Sequence, residues 1–191
     1  ICAILELKLW HQNFSGQFSV LEKKTGKQYA AKILQNYSIC TSRSSELNVI
    51  REVNSISQIN HPSFIKLIGY SPIFFNDEPF PTIIMDLLLN RSINDNLEII
   101  RDGEEIPEWN DTIKLINVYG IASGMAYLHS YNIIFRDLKP SNILLDDYLF
   151  PKIIDFGISR TISNSNDSLT CGIGTLFYMP PESLREENSK L

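Results

Sequence analysis

The pattern of apolar and polar positions begins with short runs of strand character. Apolar and charged residues alternate over residues 5–9, and apolar runs resume at 18–20, after Gly16, and at 29–34, after a Thr25-Gly26 turn. Alternation with a period of two between turn residues is typical of β-strands. These three runs therefore predict three antiparallel strands.

A helix and two further strands are predicted next. Apolar side chains recur at helical spacing over residues 45–60, and the His61-Pro62 pair ends this pattern because the residue before a proline disfavours the α conformation. Residues 64–70 and 81–88 indicate two more strands, separated by turn-like residues. The first part of the chain is thus expected to contain five strands and one helix.

Beyond residue 90 the pattern becomes helical. Asn110 or Asp111 can cap a long helix, because a short polar side chain accepts hydrogen bonds from the N–H groups of the first turn. The expected face of this helix consists of Ile113, Ile116, Gly120, Ile121, Gly124 and Leu128. Short strand-like pieces follow at 133–135, 143–145 and 152–154. The predicted class is α+β, with a mostly β part followed by a mostly α part.

Composition narrows the functional classes. With 191 residues, of which 43% are hydrophobic, the chain can bury a core in one domain or two small lobes. Its net charge of -5 gives no general attraction to nucleic acid, which is not an expected partner. Cys2, Cys40 and Cys171 lack the spacing of a disulfide framework or zinc site, and reduced intracellular thiols are expected. The apolar run at 83–89 is too short to span a membrane. We expect a cytoplasmic protein, or the cytoplasmic part of a larger one.

The most specific motif lies at residues 135–142, which read Phe-Arg-Asp-Leu-Lys-Pro-Ser-Asn. Asp155-Phe156-Gly157 begins 13 residues after Asn142. A lone Asp-Phe-Gly tripeptide is weak evidence, since an ordinary turn would explain it. In this order and spacing, the two motifs resemble the catalytic loop and the metal-binding motif of eukaryotic protein kinases. The run from Gly120 to Asn142 is most similar to the tyrosine-kinase-like and receptor-like serine/threonine group.

The resemblance implies a bilobal protein-kinase-like fold. The small lobe would comprise residues 1–85, the hinge 86–91, and the incomplete large lobe 92–191, with the activation segment at 155–182. Gly174-Thr175 and the residues 178–182 resemble the end of that segment. The last helices of the large lobe would be absent, which would leave apolar surface uncovered and leaves open whether this chain is itself active.

Catalytic roles are also implied by the resemblance. Asp137 would accept the proton of the substrate hydroxyl, and Lys139 would face the transferred phosphate, as in kinases that act on Ser and Thr. Lys32, within the Tyr29-Ala30-Ala31-Lys32 motif, would hold the nucleotide phosphates and pair with Glu52. Two hard oxygen ligands for Mg²⁺ would come from Asn142 and Asp155.

The implied ATP site uses residues from several of the predicted strands. Met85 would be the gatekeeper, and the backbone at Asp86 and Leu88 would bond adenine. Ala30 and Leu144 would contact the two faces of the adenine ring. In the phosphate loop, Gly16 would be the third glycine, ahead of Phe18, whereas His11 and Asn13 stand where the family has the first two glycines.

Regulation by phosphorylation is a further implication of the resemblance. Arg136 would pair with a phosphate on the activation segment, because a planar guanidinium can bind phosphate bidentately. Ser168 and Thr170 are the expected acceptors in a polar stretch, while Thr175 would stay unmodified and align Asp137 and Lys139. The alternative is a solvated Ser-rich loop without a switch.

Some residues of these motifs depart from the family pattern or have simpler interpretations. Phe135 replaces the usual His before Arg136, and we expect it to stack in an apolar column with Phe156, Leu67 and Ile56. Single residues have simpler interpretations, such as a surface charge for Lys32 or a hairpin bulge for Gly16. The complete set favours an ATP-dependent serine/threonine kinase. The main alternative, suggested by His11, Asn13 and the missing helices, is a pseudokinase or scaffold. A kinase of small molecules is disfavoured by the segment 174–182.

Overall fold

The computed structural model describes residues 7–12, 17–33, 53, 57–71, 82–156, 160–161 and 175–181. The chain forms two compact units. One contains Ile1–Asn60 and Ile65–Leu89, and the other contains His61–Phe64 and Asn90–Leu191. The family resemblance places residues 61–64 in the small lobe, whereas this division groups them with the second unit.

The first unit is built on a five-stranded antiparallel sheet, as the sequence predicts. The strand order is β1-β2-β3-β5-β4. The strands are β1 Leu7–Gln12, β2 Gln17–Glu22, β3 Gln28–Ile33, β4 Leu67–Ser71 and β5 Thr82–Asp86. The fourth strand begins later than the predicted 64–70, because Phe64 instead forms an isolated parallel bridge with Ile153, and both of these residues belong to the second unit.

Alternating side chains explain the core of this sheet. Val20 on β2, Tyr29 and Ala31 on β3, and Ile84 on β5 form one buried apolar cluster. The turn between β2 and β3 contains Gly26 with φ of 71°, a left-handed conformation that glycine adopts without steric cost. Of the predicted helix at 45–60, the described residues are 53 and 57–60, and the backbone is helical at residues 53 and 57.

The second unit contains two helices and short strands in its described part. Its helices are α1 Ile93–Arg101 and α2 Asp111–Ser130. The strands are β6 Ile133–Ile134, β7 Ile143–Leu145, β8 Pro151–Ile153 and β9 Arg160–Thr161. Strand β6 pairs with β9 and β7 pairs with β8, both antiparallel. Single 3-10 turns occur at Pro140–Asn142 and Leu176–Tyr178.

Both helices begin at side-chain caps. Ser92 and Asp95 form a capping box at α1, in which each side chain accepts a hydrogen bond from the backbone N–H of the other residue. At α2 the side chain of Asn110 accepts from the N–H of Ile113 at 3.1 Å, so the first of the two predicted caps is confirmed. In this described part, neither helix combines the length and apolar character needed to cross a bilayer.

The buried face of α2 differs from the predicted one at one position. Ile116 is 36% exposed, whereas Asn117 beside it is buried. The amide of Asn117 accepts from Nε1 of Trp109 at 3.2 Å and donates to the carbonyl of Leu149 at 2.8 Å. These partners satisfy the polar side chain, which is why it can lie in the interior.

Glycines on α2 allow the β7–β8 hairpin to lie directly against the helix. A Cβ atom at Gly120 would come within 2.7 Å of Cγ of Pro151, and one at Gly124 within 3.1 Å of Cδ1 of Ile153. Both positions belong to the face predicted from the sequence. The absence of side chains there therefore fixes how closely β8 approaches α2.

Candidate active site

A sharp change of backbone direction after β6 places the candidate catalytic residues. Phe135 is buried, and Arg136 has φ of 66°, a left-handed conformation that is uncommon for a side chain of this size. The chain then enters the 3-10 turn, where the N–H of Asn142 donates to the carbonyl of Lys139 at 2.9 Å. This turn brings Asn142 back toward Asp137, and its Nδ2 donates to the Asp137 carbonyl at 2.9 Å.

The carboxylate of Asp137 is held by three other residues. At Oδ1 it accepts from the backbone N–H of Thr175 at 3.1 Å and from the Thr175 hydroxyl at 2.7 Å. At Oδ2 it accepts from Nδ2 of Asn142 at 2.8 Å and pairs with Nζ of Lys139 at 2.8 Å. Nζ of Lys139 also donates to Oγ1 of Thr175 at 2.6 Å. Four predicted site residues, from two separate motifs, thus form one hydrogen-bonded cluster.

The environment of this cluster keeps Asp137 ionised. Burial alone would raise the pKa of Asp137, since a charged group is poorly solvated there. Hydrogen bonds from Lys139, Thr175 and Asn142, together with the charge of Lys139, outweigh burial and lower the pKa below its ordinary value of 3.8. Asp137 is therefore a carboxylate at neutral pH, which is the form that can accept a proton.

The two candidate metal ligands are brought close by the backbone. The N–H of Ile154 donates to the carbonyl of Asn142 at 2.9 Å, one residue before Asp155. Asp155 is exposed and has φ of 68°, so the chain turns sharply there. Since Nδ2 of Asn142 faces Asp137, its side-chain oxygen is left as the possible ligand.

The chemistry of the two candidate ligands, one carboxylate and one amide oxygen, is compatible with Mg²⁺. Within the described ranges, no group of three or more His, Cys, Asp or Glu side chains could hold a metal ion. One carboxylate and one amide oxygen would fill part of an octahedron, and Mg²⁺ usually completes its shell with waters and substrate phosphates. The donors present therefore suit a cation that binds together with a nucleotide.

Aromatic rings pack together next to the candidate site. Phe135 and Phe156 meet edge to face, with ring centroids 5.4 Å apart, so their predicted contact is confirmed. Phe64 also packs against Phe156, with ring centroids 5.4 Å apart. Ile56, also predicted in this column, lies outside the described residues. Because Phe156 is buried directly after the exposed Asp155, this packing anchors the candidate metal ligand.

In the first unit, the candidate nucleotide residues lie on neighbouring strands. Ala30 pairs with Met85 across β3 and β5, and Lys32 pairs with Ile83. Ala30 is buried, whereas Lys32 and Met85 are half-buried. The N–H of Asp86 already donates to the carbonyl of Lys66 at 3.1 Å, so of its two backbone groups only the carbonyl could serve adenine.

Other predicted site residues are placed less fully. Phe18 lies on β2, where its backbone pairs with Ala31. Leu88 follows β5 in a segment without regular structure, and Leu144 lies on β7 in the second unit, half-buried. Four candidates lie outside the described residues, and their roles stay predictions: Gly16, Glu52, Ser168 and Thr170.

Sequence reasoning missed the part played by residues 61–64. The sequence pattern places Phe64 at the start of a strand and His61 at the end of a helix. In the structure Phe64 packs on Phe156, and His61 lies 3.2 Å from the hydroxyl of Ser123 on α2. An aromatic residue, Phe64, directly after His61-Pro62 and Ser63 was the sequence signal for this packing. Its partner Phe156 is distant in sequence, so the contact could not be predicted.

Comparison with known proteins agrees with this geometry. A family model described as a protein kinase domain matches residues 11–190. Cysteine-rich receptor-like protein kinase 42 of Arabidopsis thaliana is 37% identical over 161 residues, covering 82% of this chain and 23% of that protein. Probable serine/threonine-protein kinase PBL20 of the same plant is 30% identical over 187 residues, covering 88% and 46%.

A human protein is similar to this chain at a comparable level of sequence identity. Putative 3-phosphoinositide-dependent protein kinase 2 of Homo sapiens is 32% identical over 180 residues, covering 91% of this chain and 43% of that protein. The chain thus spans less than half the length of these curated relatives. Because the family model covers most of the chain and these relatives carry matching names, the chain belongs to the eukaryotic protein kinase family, in its receptor-like group.

Proposed function

We propose that this protein kinase domain transfers the γ-phosphate of ATP to Ser and Thr hydroxyls of proteins, with Mg²⁺ as the cation. The observation that carries the proposal is the cluster around Asp137. There a threonine hydroxyl donates to the Asp137 carboxylate at 2.7 Å, the hydrogen bond that a substrate Ser or Thr would make. Lys139, typical of kinases that act on these hydroxyls, lies beside it.

In the proposed mechanism Asp137 orients the acceptor hydroxyl and takes its proton as the oxygen bonds to the γ-phosphorus, while the bond from that phosphorus to the bridging oxygen of ATP breaks and ADP leaves. Its lowered pKa makes it a weak base, so its main contribution is to orient the hydroxyl and accept the proton late. Lys139 places a positive charge next to that oxygen and balances charge that develops on the transferred group. Both side chains are largely buried, which strengthens their interaction relative to water.

The remaining residues would hold the reactants. Lys32 would bind phosphate oxygens of ATP, and Asn142 and Asp155 would hold Mg²⁺, which supplies neutralising charge when bound. Ala30, Met85 and the carbonyl of Asp86 would form part of the adenine site. Such positioning carries most of the work in phosphoryl transfer, since the transition state is loose.

A direct assay tests the proposal. The 191-residue chain is incubated with radiolabelled ATP, Mg²⁺ and a general protein substrate, and the labelled amino acids are identified after hydrolysis. Label on Ser and Thr, lost in Asp137→Asn, is expected. Asp147→Asn is the matched control, because Asp147 is exposed on the β7–β8 turn. Label on Tyr, or equal labelling in Asp137→Asn, would contradict the proposal.

A second candidate function is a pseudokinase that binds nucleotide or partner proteins without efficient transfer. The observation that favours it is β1, which continues through His11 and Gln12, paired with Ser19 and Phe18. These residues give the backbone less freedom to approach a phosphate than glycine would. Binding of a fluorescent ATP analogue without any label transfer would select this alternative.

Regulation and location are also part of the proposal. We infer that Arg136 binds a phosphate on Ser168 or Thr170, and that the domain works in the cytoplasm on protein substrates. Replacing Ser168 and Thr170 together with Ala should lower activity, because Arg136 would then have no phosphate to bind. Unchanged activity, with no phosphate found by mass spectrometry between residues 158 and 173, would contradict it.

A further inference from the structure

A histidine outside the Asp137 cluster joins residues 61–64 to α2. Nδ1 of His61 accepts a 3.2 Å hydrogen bond from the backbone N–H of Ser63, and Nε2 lies 3.2 Å from Oγ of Ser123. The imidazole also packs against the rings of Phe64 and Tyr127, with centroid distances of 5.9 and 5.2 Å. His61 therefore contacts both its own segment and the helix.

These two hydrogen bonds define the protonation state of the ring. A nitrogen that accepts from an N–H carries no proton, so Nδ1 is bare and Nε2 holds the proton donated to Ser123. The imidazolium would instead point a second N–H at the N–H of Ser63. Because Ser63 is buried, its N–H would lose its acceptor without gaining water.

The groups around the ring favour this neutral form. Helix α2 presents the Ser123 hydroxyl and the Tyr127 ring, and β8 presents Lys152, whose Nζ donates to the Pro62 carbonyl at 2.6 Å. Lys152 is itself paired with Asp146 at 3.3 Å. Burial, and then the charge of Lys152, lower the pKa of His61 below its ordinary value of 6.5. Across the described part of the chain, no carboxylate forms an ion pair with His61.

The segment anchored by His61 extends to the candidate site. The carbonyl of Ser63 accepts from the N–H of Ile153 at 2.7 Å, and Phe64 packs on Phe156 at 5.4 Å. Ile153 and Phe156 lie two residues before and one residue after Asp155. Ile153 and Phe156, on either side of Asp155, thus each have one partner in the segment that His61 anchors.

We propose that neutral His61 is a positioning residue, which fixes Asp155 through Ser63 and Phe64, and that protonation of His61 releases the segment 61–64. The role of Asp155 rests on the proposed function, whereas the release itself does not. The sign follows from the lowered pKa. His61 stabilises the fold fully above pH about 6.5, and this contribution is lost as the pH falls from there through the lower pKa of the folded state.

The first test follows the imidazole and the fold without any catalysis. Nitrogen NMR of the 191-residue chain should show His61 as the Nε2–H tautomer at pH 7.5, and ring signals of Phe64 and Phe156 should shift as His61 titrates. Unfolding in urea between pH 7.5 and 5 should show the folding constant falling by up to tenfold per pH unit from this one proton.

Matched variants separate His61 from other titrating groups. His61→Asn keeps an acceptor for the Ser63 N–H but cannot be protonated, so the decrease between pH 7.5 and 5 should largely disappear. His129→Gln, on the exposed last turn of α2, should behave as wild type. An Nδ1–H tautomer at pH 7.5, or an equal decrease in His61→Asn, would overturn the proposal.

A pH profile of phosphate transfer supplies the second test. Between pH 7.5 and 5.5 the wild type should lose several-fold more activity than His61→Asn, because only the wild type can release Asp155. Equal profiles for the two proteins would overturn the positioning role. Absence of transfer at every pH, with the NMR titration as expected, would instead contradict the proposed function and leave the release of the segment established.

Discussion

The side-chain hydroxyl of Thr175 donates a 2.7 Å hydrogen bond to Oδ1 of Asp137, from a segment 38 residues further along the chain. The same hydroxyl accepts from Nζ of Lys139 at 2.6 Å. Thr175 therefore bridges the carboxylate of Asp137 and the ammonium group of Lys139. Its hydroxyl donates to the first and accepts from the second. Its removal would leave each of them with one partner fewer in a largely buried place.

Thr175→Val tests this bridge, because valine keeps the shape and lacks the hydroxyl. A hydrogen bond to a charged group contributes about 1.5–3 kcal/mol, which corresponds to a roughly 10- to 100-fold loss of kcat if the bond positions Asp137. Thr175→Ser should retain most of the activity. The exposed Thr112→Val on α2 is the control. Equal kcat for Thr175→Val and Thr112→Val would show that the bridge has no catalytic role.

The lowered pKa of Asp137 predicts acid sensitivity of the fold. Because the pKa is lower in the folded than in the unfolded state, Asp137 stabilises the fold above pH about 3.8, and this contribution is lost as the pH falls through the folded-state pKa. Urea unfolding between pH 5 and 2 should therefore be less pH-dependent in Asp137→Asn than in wild type. The same dependence in both proteins would argue against the hydrogen-bonded carboxylate.

Removal of the metal should weaken nucleotide binding. Without Mg²⁺ the phosphates of ATP would face the Asp155 carboxylate with no intervening cation, so chelation should raise the Kd for ATP at least tenfold. In Asp155→Asn, phosphate transfer should be abolished with little change in the unfolding midpoint, since Asp155 is exposed. A calorimetric titration measures both proteins with and without chelator. Equal Kd values would favour a metal-independent pseudokinase.

The sequence predicted the local features of this fold better than the long-range ones. The strand alternation and the Asn110 cap depend on neighbouring residues, and both were found. The period of α2 could not reveal that Asn117 is buried and Ile116 exposed, because the partners of Asn117 come from Trp109 and Leu149. A polar residue among apolar ones is assigned to solvent unless its hydrogen-bond partners are known.

The same limit applied to the candidate site. The order and spacing of two motifs indicated a resemblance to protein kinases, and that resemblance implied roles for Asp137, Lys139 and Asn142. In the structure the side chains of these three residues lie in one cluster. The contribution of His61 was invisible, because it depends on Ser123, 62 residues away in sequence. A short motif can be recognised from the sequence alone, whereas a contact between two single residues that are far apart in the chain cannot.

Close packing at Gly120 predicts an unusual response to alanine. In most helices Gly→Ala stabilises by about 0.5–1 kcal/mol, but a Cβ here would lie 2.7 Å from Cγ of the rigid Pro151 ring. Overpacking typically costs about 1–3 kcal/mol, so Gly120→Ala should lower the free energy of unfolding. Denaturant titration measures it, with the exposed Ala122→Gly as a propensity control on the same helix. Stabilisation by Gly120→Ala would show that the hairpin can move away.

At Leu149 a substitution by glycine should relieve backbone strain, because this residue has φ of 61° in the β7–β8 turn. A left-handed conformation costs a non-glycine residue roughly 1–2 kcal/mol. Leu149→Gly should therefore be more stable than Leu149→Ala by about 1 kcal/mol, since alanine keeps the strain and loses the same side chain. The comparison of the two unfolding curves cancels the lost apolar contacts. Equal stability would mean that the turn relaxes.

Just before Asp155 the chain is hydrogen-bonded to two different neighbours, through Ile153 at the end of β8 and through Ile154 directly after it. The N–H of Ile153 donates to Ser63 and that of Ile154 to Asn142, so the two amides depend on different neighbours. Exchange with deuterated solvent at Ile153 requires only that segment 61–64 detach, whereas exchange at Ile154 requires the 140–142 turn to detach. The two adjacent amides therefore report two separate opening events, and the ratio of their exchange rates gives the relative populations of the two open states.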